Sequence, residues 1–222
     1  MFTKEVSNMN FQIVLQELQT TNLYTNILAS LKNVLVGFSM AFIIAIILAF
    51  LLYEFKILDK IVYPIIELLR PIPNAGWVPI AIITCPTMEQ SILFITFVGA
   101  FFPMFLNIYR SLDNIPINYL NIAKLYKLNR KEKYCKVIIP SILPSVFTAT
   151  MLGISGAWLS VIMAEMISGK VGLGYYTWKN YTLLCYEKVF LGIVLMGILG
   201  ACFSLIISFI SKKTLFWVRN GE

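Results

Sequence analysis

Twenty consecutive residues without a charged side chain, Val34 to Tyr53, constrain this chain more than any other feature. At about 1.5 Å per helical residue, such a stretch covers the roughly 30 Å hydrocarbon core of a bilayer. Similar stretches recur, because hydrophobic residues fill 59% of the 222 positions and charged residues only 13%. With a mean hydropathy of +0.79, the chain lies outside the range of soluble domains, so the solvent to reason about is lipid. Strands of a membrane barrel would alternate polar and apolar positions over about ten residues, and that pattern is missing. The expectation is an all-α membrane protein with five transmembrane helices, near 34–53, 61–84, 91–109, 137–163 and 187–210.

The second of these is irregular. It holds Pro64, Pro71, Pro73 and Pro79 together with Glu67 and Arg70, so it is not a regular lipid-facing helix along its length. Residues 1–33 lack a continuous apolar core, which argues against a secretory signal there. Within them, Phe11, Val14, Leu15 and Leu18, then Leu23, Ile27, Leu28 and Leu31, mark one broad face of an amphipathic external segment. Packing against the rim of the bundle is its simplest role.

Charge sets the expected orientation. Loops 54–60 and 110–136 and the tail after 210 carry twelve Lys and Arg, the other side five, with Arg70 inside a span. Basic loops stay in the cytoplasm, which puts the C-terminus inside and, with five spans, the N-terminus outside.

Several chemistries are excluded. There is no histidine, and Cys85, Cys135, Cys185 and Cys202 show no paired spacing, so a common zinc site or a histidine-based triad cannot be built. The clustered glycines Gly169, Gly172 and Gly174 lack the following Lys-Ser/Thr of a nucleotide loop. The chain therefore does not read as an enzyme, with no cofactor and no metal of its own and no nucleic-acid partner.

Segment 110–136 holds seven of the 18 Lys and Arg. Pro116 offers a helix start, and Tyr119, Leu120, Ile122, Ala123, Leu125 and Tyr126 keep helical spacing to Leu128. Asn129 is suited to a left-handed turn, after which 130–136 forms a short second helix feeding the fourth span. Lys and Arg between spans serve topology alone in many proteins. The apolar positions inside the loop have no such use and point to a protein partner.

Over about 190 residues the sequence resembles the permease subunits of bacterial ABC importers, in the nitrate/sulfonate/taurine branch. Those subunits carry a loop of Glu-Ala-Ala, three residues, Gly, about nine residues, then an aliphatic residue and Leu-Pro. Counting back from Pro140 puts Ile139 at the leucine, Val137 at the aliphatic, Lys127 at the glycine, and Asn121, Ile122 and Ala123 at Glu-Ala-Ala. Downstream, Leu143-Pro144, Ala157-Trp158, Ala164-Glu165 and Gly172-Leu173-Gly174 match. Upstream, Ser30-Leu31, Val36-Gly37-Phe38, Arg70-Pro71-Ile72-Pro73 and Ala75-Gly76-Trp77-Val78-Pro79 match as well. The loop departs from the pattern by losing the glutamate, one alanine and the glycine. Many relatives also have a further span, for which Met1 to Leu31 is too polar.

The resemblance implies a type I importer permease fold in a bacterial cell membrane. Two permease copies, as a homodimer, would surround the pathway of a small anionic solute such as nitrate, a sulfonate, taurine or a vitamin precursor. An extracellular binding protein would deliver it, and a pair of ATP-binding subunits would hold ATP and Mg. Coupling to them would fall to Tyr119, Leu120, Asn121, Ile122, Ala123, Leu125, Tyr126, Lys127, Leu128, Asn129 and Arg130. Pathway and gate candidates are Arg70, Pro71, Pro73, Asn74, Trp77, Trp158 and Glu165. For Arg70 the alternatives are solute contact and pairing with Glu67 three residues earlier. Glu165 either ties helices or meets solute, and the tryptophans either gate or anchor at an interface. The competing function is a channel or structural membrane subunit whose basic loop binds anionic lipid.

Overall fold

The computed structural model describes residues 21–168 and 170–215. Among the described residues the secondary structure is helical, with nine α-helices: α1 Thr21–Glu54, α2 Lys56–Leu69, α3 Asn74–Thr84, α4 Met88–Asp113, α5 Ile117–Leu125, α6 Arg130–Lys133, α7 Ile139–Ser168, α8 Leu173–Thr182 and α9 Tyr186–Thr214. A π-helical turn, Tyr134–Ile138, joins α6 to α7. Four stretches are long and apolar enough to cross a membrane: Leu23–Glu54, Met88–Asp113, Arg130–Ile167 and Tyr186–Thr214.

The second expected crossing, 61–84, is two helices. Pro71 and Pro73 remove two backbone donors and crowd the preceding turn, so α2 stops at Leu69 and α3 restarts after an extended Pro73 (ψ 147°). Contacts with α4 show how α2 lies. Lys56 pairs with Asp113 (3.4 Å), the Tyr109 hydroxyl donates to Asp59, and Arg110 pairs with Glu67 (3.1 Å). Twelve residues of α2 thus meet only five of α4, Tyr109 to Asp113, so α2 passes across the end of α4 and not alongside it. Its outer face, Ile57, Ile61, Ile65 and Leu68, is exposed and apolar, the pattern of a helix lying in a membrane interface. Only α3 then runs along the upper half of α4, with Trp77 edge-on to Phe94 and Ser91 donating to the Ala81 carbonyl.

The core is the junction of α1, α4 and α7, where small residues allow close approach. Ala41, Ala45 and Ala49 form a fully buried stripe on α1, and Gly37 lies so close to Thr96 that a Cβ would come within 2.8 Å of it. On α7, a Cβ at Gly156 would lie 2.2 Å from the Gly99 carbonyl oxygen of α4. Helices in lipid gain from this backbone proximity because water supplies no drive between them. Along α4, Phe97, Phe101, Phe105 and Tyr109 stack at i, i+4 spacing with centroids 5.4 to 5.7 Å apart.

The expected external amphipathic segment divides. Phe11, Val14, Leu15 and Leu18 lie outside the described residues. Residues 21–33 continue without a break into the first span, with Leu23 buried and Ile27 and Leu31 packed on the core. Leu28 is exposed. By contrast α9 buries only Leu191, Gly192 and Met196, leaving most of its length to lipid or a second subunit.

Candidate functional site

Segment 114–138 is built by local rules. Pro116, whose missing N–H costs nothing there, caps α5, and α5 closes in a Schellman turn. Leu128 N–H bonds to the Ala123 carbonyl (3.0 Å) and Lys127 N–H to the Lys124 carbonyl (3.0 Å). The left-handed residue is Lys127 (φ 50°), which corrects the expectation for Asn129. Asn129 instead keeps an extended backbone and caps α6: its side-chain oxygen accepts from Glu132 N–H (2.8 Å), while Glu132 accepts from Asn129 N–H (3.1 Å). A short polar side chain gains a full cap there and has no such gain in the turn. Lys127 thus occupies the position of the motif glycine in the conformation that glycine would serve.

The apolar residues of the loop separate into two sets. Ala123 is buried and Leu120 and Leu128 are half-buried, holding α5 to the bundle. Ile122, Leu125 and Tyr126 face outward, with Leu125 81% and Tyr126 77% exposed. Tyr119 and Asn121 are exposed beside them. Arg130 reaches back to Glu54 at the end of α1 (2.6 Å). After α6 the π turn widens the helix just before Pro140, which relieves the clash a proline ring makes with the carbonyl four residues earlier.

The pathway candidates fall into two places. Arg70, Pro71 and Pro73 are exposed at the α2–α3 break, and Asn74 starts α3, donating from Nδ2 to the Ser160 hydroxyl (2.7 Å). Trp77 stands one turn further on, its indole N–H buried without a partner among the described residues. Glu67 is held by Arg110 and Tyr63 (2.8 Å), so its hydrogen-bonding partner is not Arg70.

Trp158 and Glu165 lie elsewhere. Trp158 is buried, donates to the Met196 carbonyl (3.1 Å) and packs on Phe203, fastening α7 to α9. Glu165 is fully buried and ties three helices. The Ser30 hydroxyl of α1 lies 2.8 and 2.7 Å from its two oxygens, Asn33 Nδ2 lies 3.4 Å away, and Gly174 N–H at the start of α8 donates at 3.0 Å. Ser30 also accepts from Leu173 N–H (2.8 Å), and Asn26 from Gly172 N–H (2.7 Å). A Cβ on Gly172 (φ 131°) would fall 2.1 Å from the Glu165 carboxyl carbon, and one on Gly174 would fall 2.3 Å from the Ile162 carbonyl oxygen. The Ala164-Glu165 and Gly172-Leu173-Gly174 motifs are therefore one object: a carboxylate at a helix N-terminus and the glycines that make room for it. Sequence reasoning had Ser30 in a motif without a role and missed Asn26 and Asn33, which no pattern marks.

The sequence that builds this bundle matches known proteins. Residues 41–215 match the family described as binding-protein-dependent transport system inner membrane component. The chain belongs to that family. This permease is 32% identical over 191 residues to the nitrate import permease protein of Leptolyngbya laminosa, covering 86% of this chain and 68% of the relative. To the bicarbonate transport system permease protein of Synechocystis sp. it is again 32% identical over 191 residues, with the same shares covered. To a putative ABC transporter permease protein of Methanocaldococcus jannaschii it is 32% identical over 201 residues, or 90% of this chain and 75% of the relative. The permease is thus the membrane component of an ABC importer with the type I importer permease fold, and the reading as a channel or structural subunit falls away.

Proposed function

We propose that this permease forms the pathway for a small oxyanion of the nitrate or bicarbonate class, delivered by an extracellular binding protein and driven by a separate pair of ATPase subunits that bind ATP and Mg. Two copies enclose the pathway, by the symmetry usual for such assemblies. The end carrying 54–60, 110–136 and the C-terminus faces the cytoplasm, in keeping with its twelve Lys and Arg against five. The substrate class is supported by the nitrate and bicarbonate permeases among the relatives.

The observation that carries the coupling role is the outward set Ile122, Leu125 and Tyr126 on a helix already held to its own bundle by Leu120, Ala123 and Leu128. Exposed apolar anchors at i, i+3, i+4 are what a groove in a partner receives. Closure of the ATPases would push α5 as a lever, and the movement would reach α4 and α7 directly, since α5 is joined to both through short connectors. Replacing Leu125 and Tyr126 together by Asp is expected to abolish co-purification of the ATPase and its stimulation while the permease still inserts and folds. Retained assembly and stimulation in that variant would remove α5 from the coupling role.

Arg70 is the pathway residue with the most direct test. It sits exposed at the α2–α3 break, four positions before Asn74, and Glu67 is occupied by Arg110. A guanidinium so placed suits a trigonal anion. Arg70→Ala is expected to lower uptake far more than assembly with the ATPase; equal losses in both would make Arg70 structural.

A further inference from the structure

We propose that a polar cavity at the basic end of the permease is a low-affinity binding site for a small oxyanion, from which the transported anion leaves for the cytoplasm. The inference rests on the importer reading above and adds a site to it. The cavity measures about 460 Å³ and lies where α4, α5 and α7 meet. One wall is the last two turns of α4, which bring Asn107, Arg110, Ser111 and Asn114 to one face at i, i+3, i+4 and i+7. Facing them, Ser141 and Ser145 come from the first two turns of α7. Tyr119 of α5 closes the lower side.

The donors favour an anion. Arg110 is the one charged side chain in the lining, and no carboxylate shares the lining with it. Asn107 and Asn114 each commit an amide N–H to a carbonyl of their own helix (2.8 Å), which leaves a second N–H on each. Among the described residues, the hydroxyls of Ser111 and Ser145 make no hydrogen bond. A planar guanidinium with amide and hydroxyl donors around it matches a planar oxyanion better than a spherical halide, because several oxygens are engaged at once.

Two further features fit release more than capture. Glu67, which is not part of the lining, pairs with the guanidinium at 3.1 Å, so the positive field that an anion meets is partly cancelled. Tyr119 stands on the helix assigned above to the ATPase, so any shift of α5 against α7 changes the shape of the cavity.

The test uses the full chain assembled with its ATPase in phosphatidylcholine nanodiscs, with the unfolding midpoint followed against sodium nitrate, sodium bicarbonate and sodium chloride at equal ionic strength. A saturable rise with nitrate or bicarbonate and none with chloride is expected. In Ser111→Ala/Ser145→Ala, which leaves the Arg110–Glu67 pair in place, the apparent affinity should fall about ten-fold, as loss of anion-directed hydrogen bonds implies. Arg110→Gln should remove the response. Equal rises with all three anions, or an oxyanion response that survives both variants, would overturn the site. So would a rise produced by adding phosphatidylglycerol to the nanodisc and insensitive to nitrate, which would make the occupant a lipid phosphate. A wild-type complex that hydrolyses ATP and imports solute without an oxyanion-specific response overturns the site alone, whereas a wild-type chain that assembles with no ATPase overturns the importer reading.

Discussion

The two ends of α7 are fastened in opposite ways. At the Glu165 end a fully buried carboxylate is gripped by Ser30 of α1 and the first turn of α8, with glycines cut to its shape. At the Lys136 end the polar contacts of the segment leading into the helix are exposed ion pairs, Arg130–Glu54 to α1 and Lys136–Glu132 within the segment. Buried polar groups are costly to separate in lipid, while exposed pairs trade partners with water at little cost. The same helix therefore has a fixed point at one end and a joint at the other. The movement of α7 proposed above would turn on the first and use the second.

The largest effect should come from the fixed point. Glu165→Ala strips the partner from Ser30, Asn33 and Gly174 N–H inside the bundle, and should cost about 3 kcal/mol or more in denaturant unfolding of the purified chain in micelles. A loss below about 1 kcal/mol would mean that the end is not held by this knot. Gly172→Ala should follow at about 2 kcal/mol, because its Cβ would overlap the same carboxylate and its backbone sits at φ 131°. Restoring stability in Gly172→Ala/Glu165→Ala relative to the sum of the single losses would show that the two residues act as one unit.

Much of this contrast was legible in the sequence, and the remainder was hidden for identifiable reasons. Spans set by long uncharged runs are read from composition alone, because lipid demands them. The position of α5 was set by its distance from Pro140, but the apolar positions read from the sequence put Leu120, Ala123 and Leu128 together with Ile122, Leu125 and Tyr126, and only the fold separates the inward set from the outward one. The break at 70–73 was marked by its prolines, yet not that α2 would turn across the end of α4. That depends on partners 40 to 60 residues away, Tyr109, Arg110 and Asp113, which no local pattern couples to Asp59, Glu67 and Lys56. Likewise Ser30 and Glu165 are 135 residues apart, so only the fold reveals that two separate motifs serve one carboxylate. Nothing in its residue types announces the π turn, and the left-handed Lys127 was hidden because a lysine stands where the motif has its glycine, so the turn was expected at Asn129.

The third prediction concerns the joint itself. Lys127 pays for a left-handed conformation that a glycine adopts freely, so Lys127→Gly should stabilise the permease by about 1 kcal/mol in the same unfolding assay. The substitution keeps the Schellman bonds from Leu128 and Lys127 N–H and touches none of the outward residues of α5. Loss of stability instead would show that the lysine side chain holds the turn.

The smallest effect should belong to an exposed pair, and it is the one that decides the comparison. Arg130 lies 2.6 Å from Glu54, but its side chain is 77% exposed. Such a pair gains little beyond what each partner gains from water, so Arg130→Gln should change stability by about 0.5 kcal/mol or less. A double-mutant cycle with Glu54→Gln isolates the coupling from any packing by the arginine stem. That coupling should shrink as salt rises, since the screening length falls from about 10 Å at 0.1 M to about 3 Å at 1 M. The Glu165 cycle with Ser30→Ala, measured beside it, should show no such salt dependence because both groups are buried. If the Arg130–Glu54 coupling exceeds about 1.5 kcal/mol and resists salt, the basic end is as rigid as the other, and the rocking of α7 must be sought in the π turn at Tyr134–Ile138 instead.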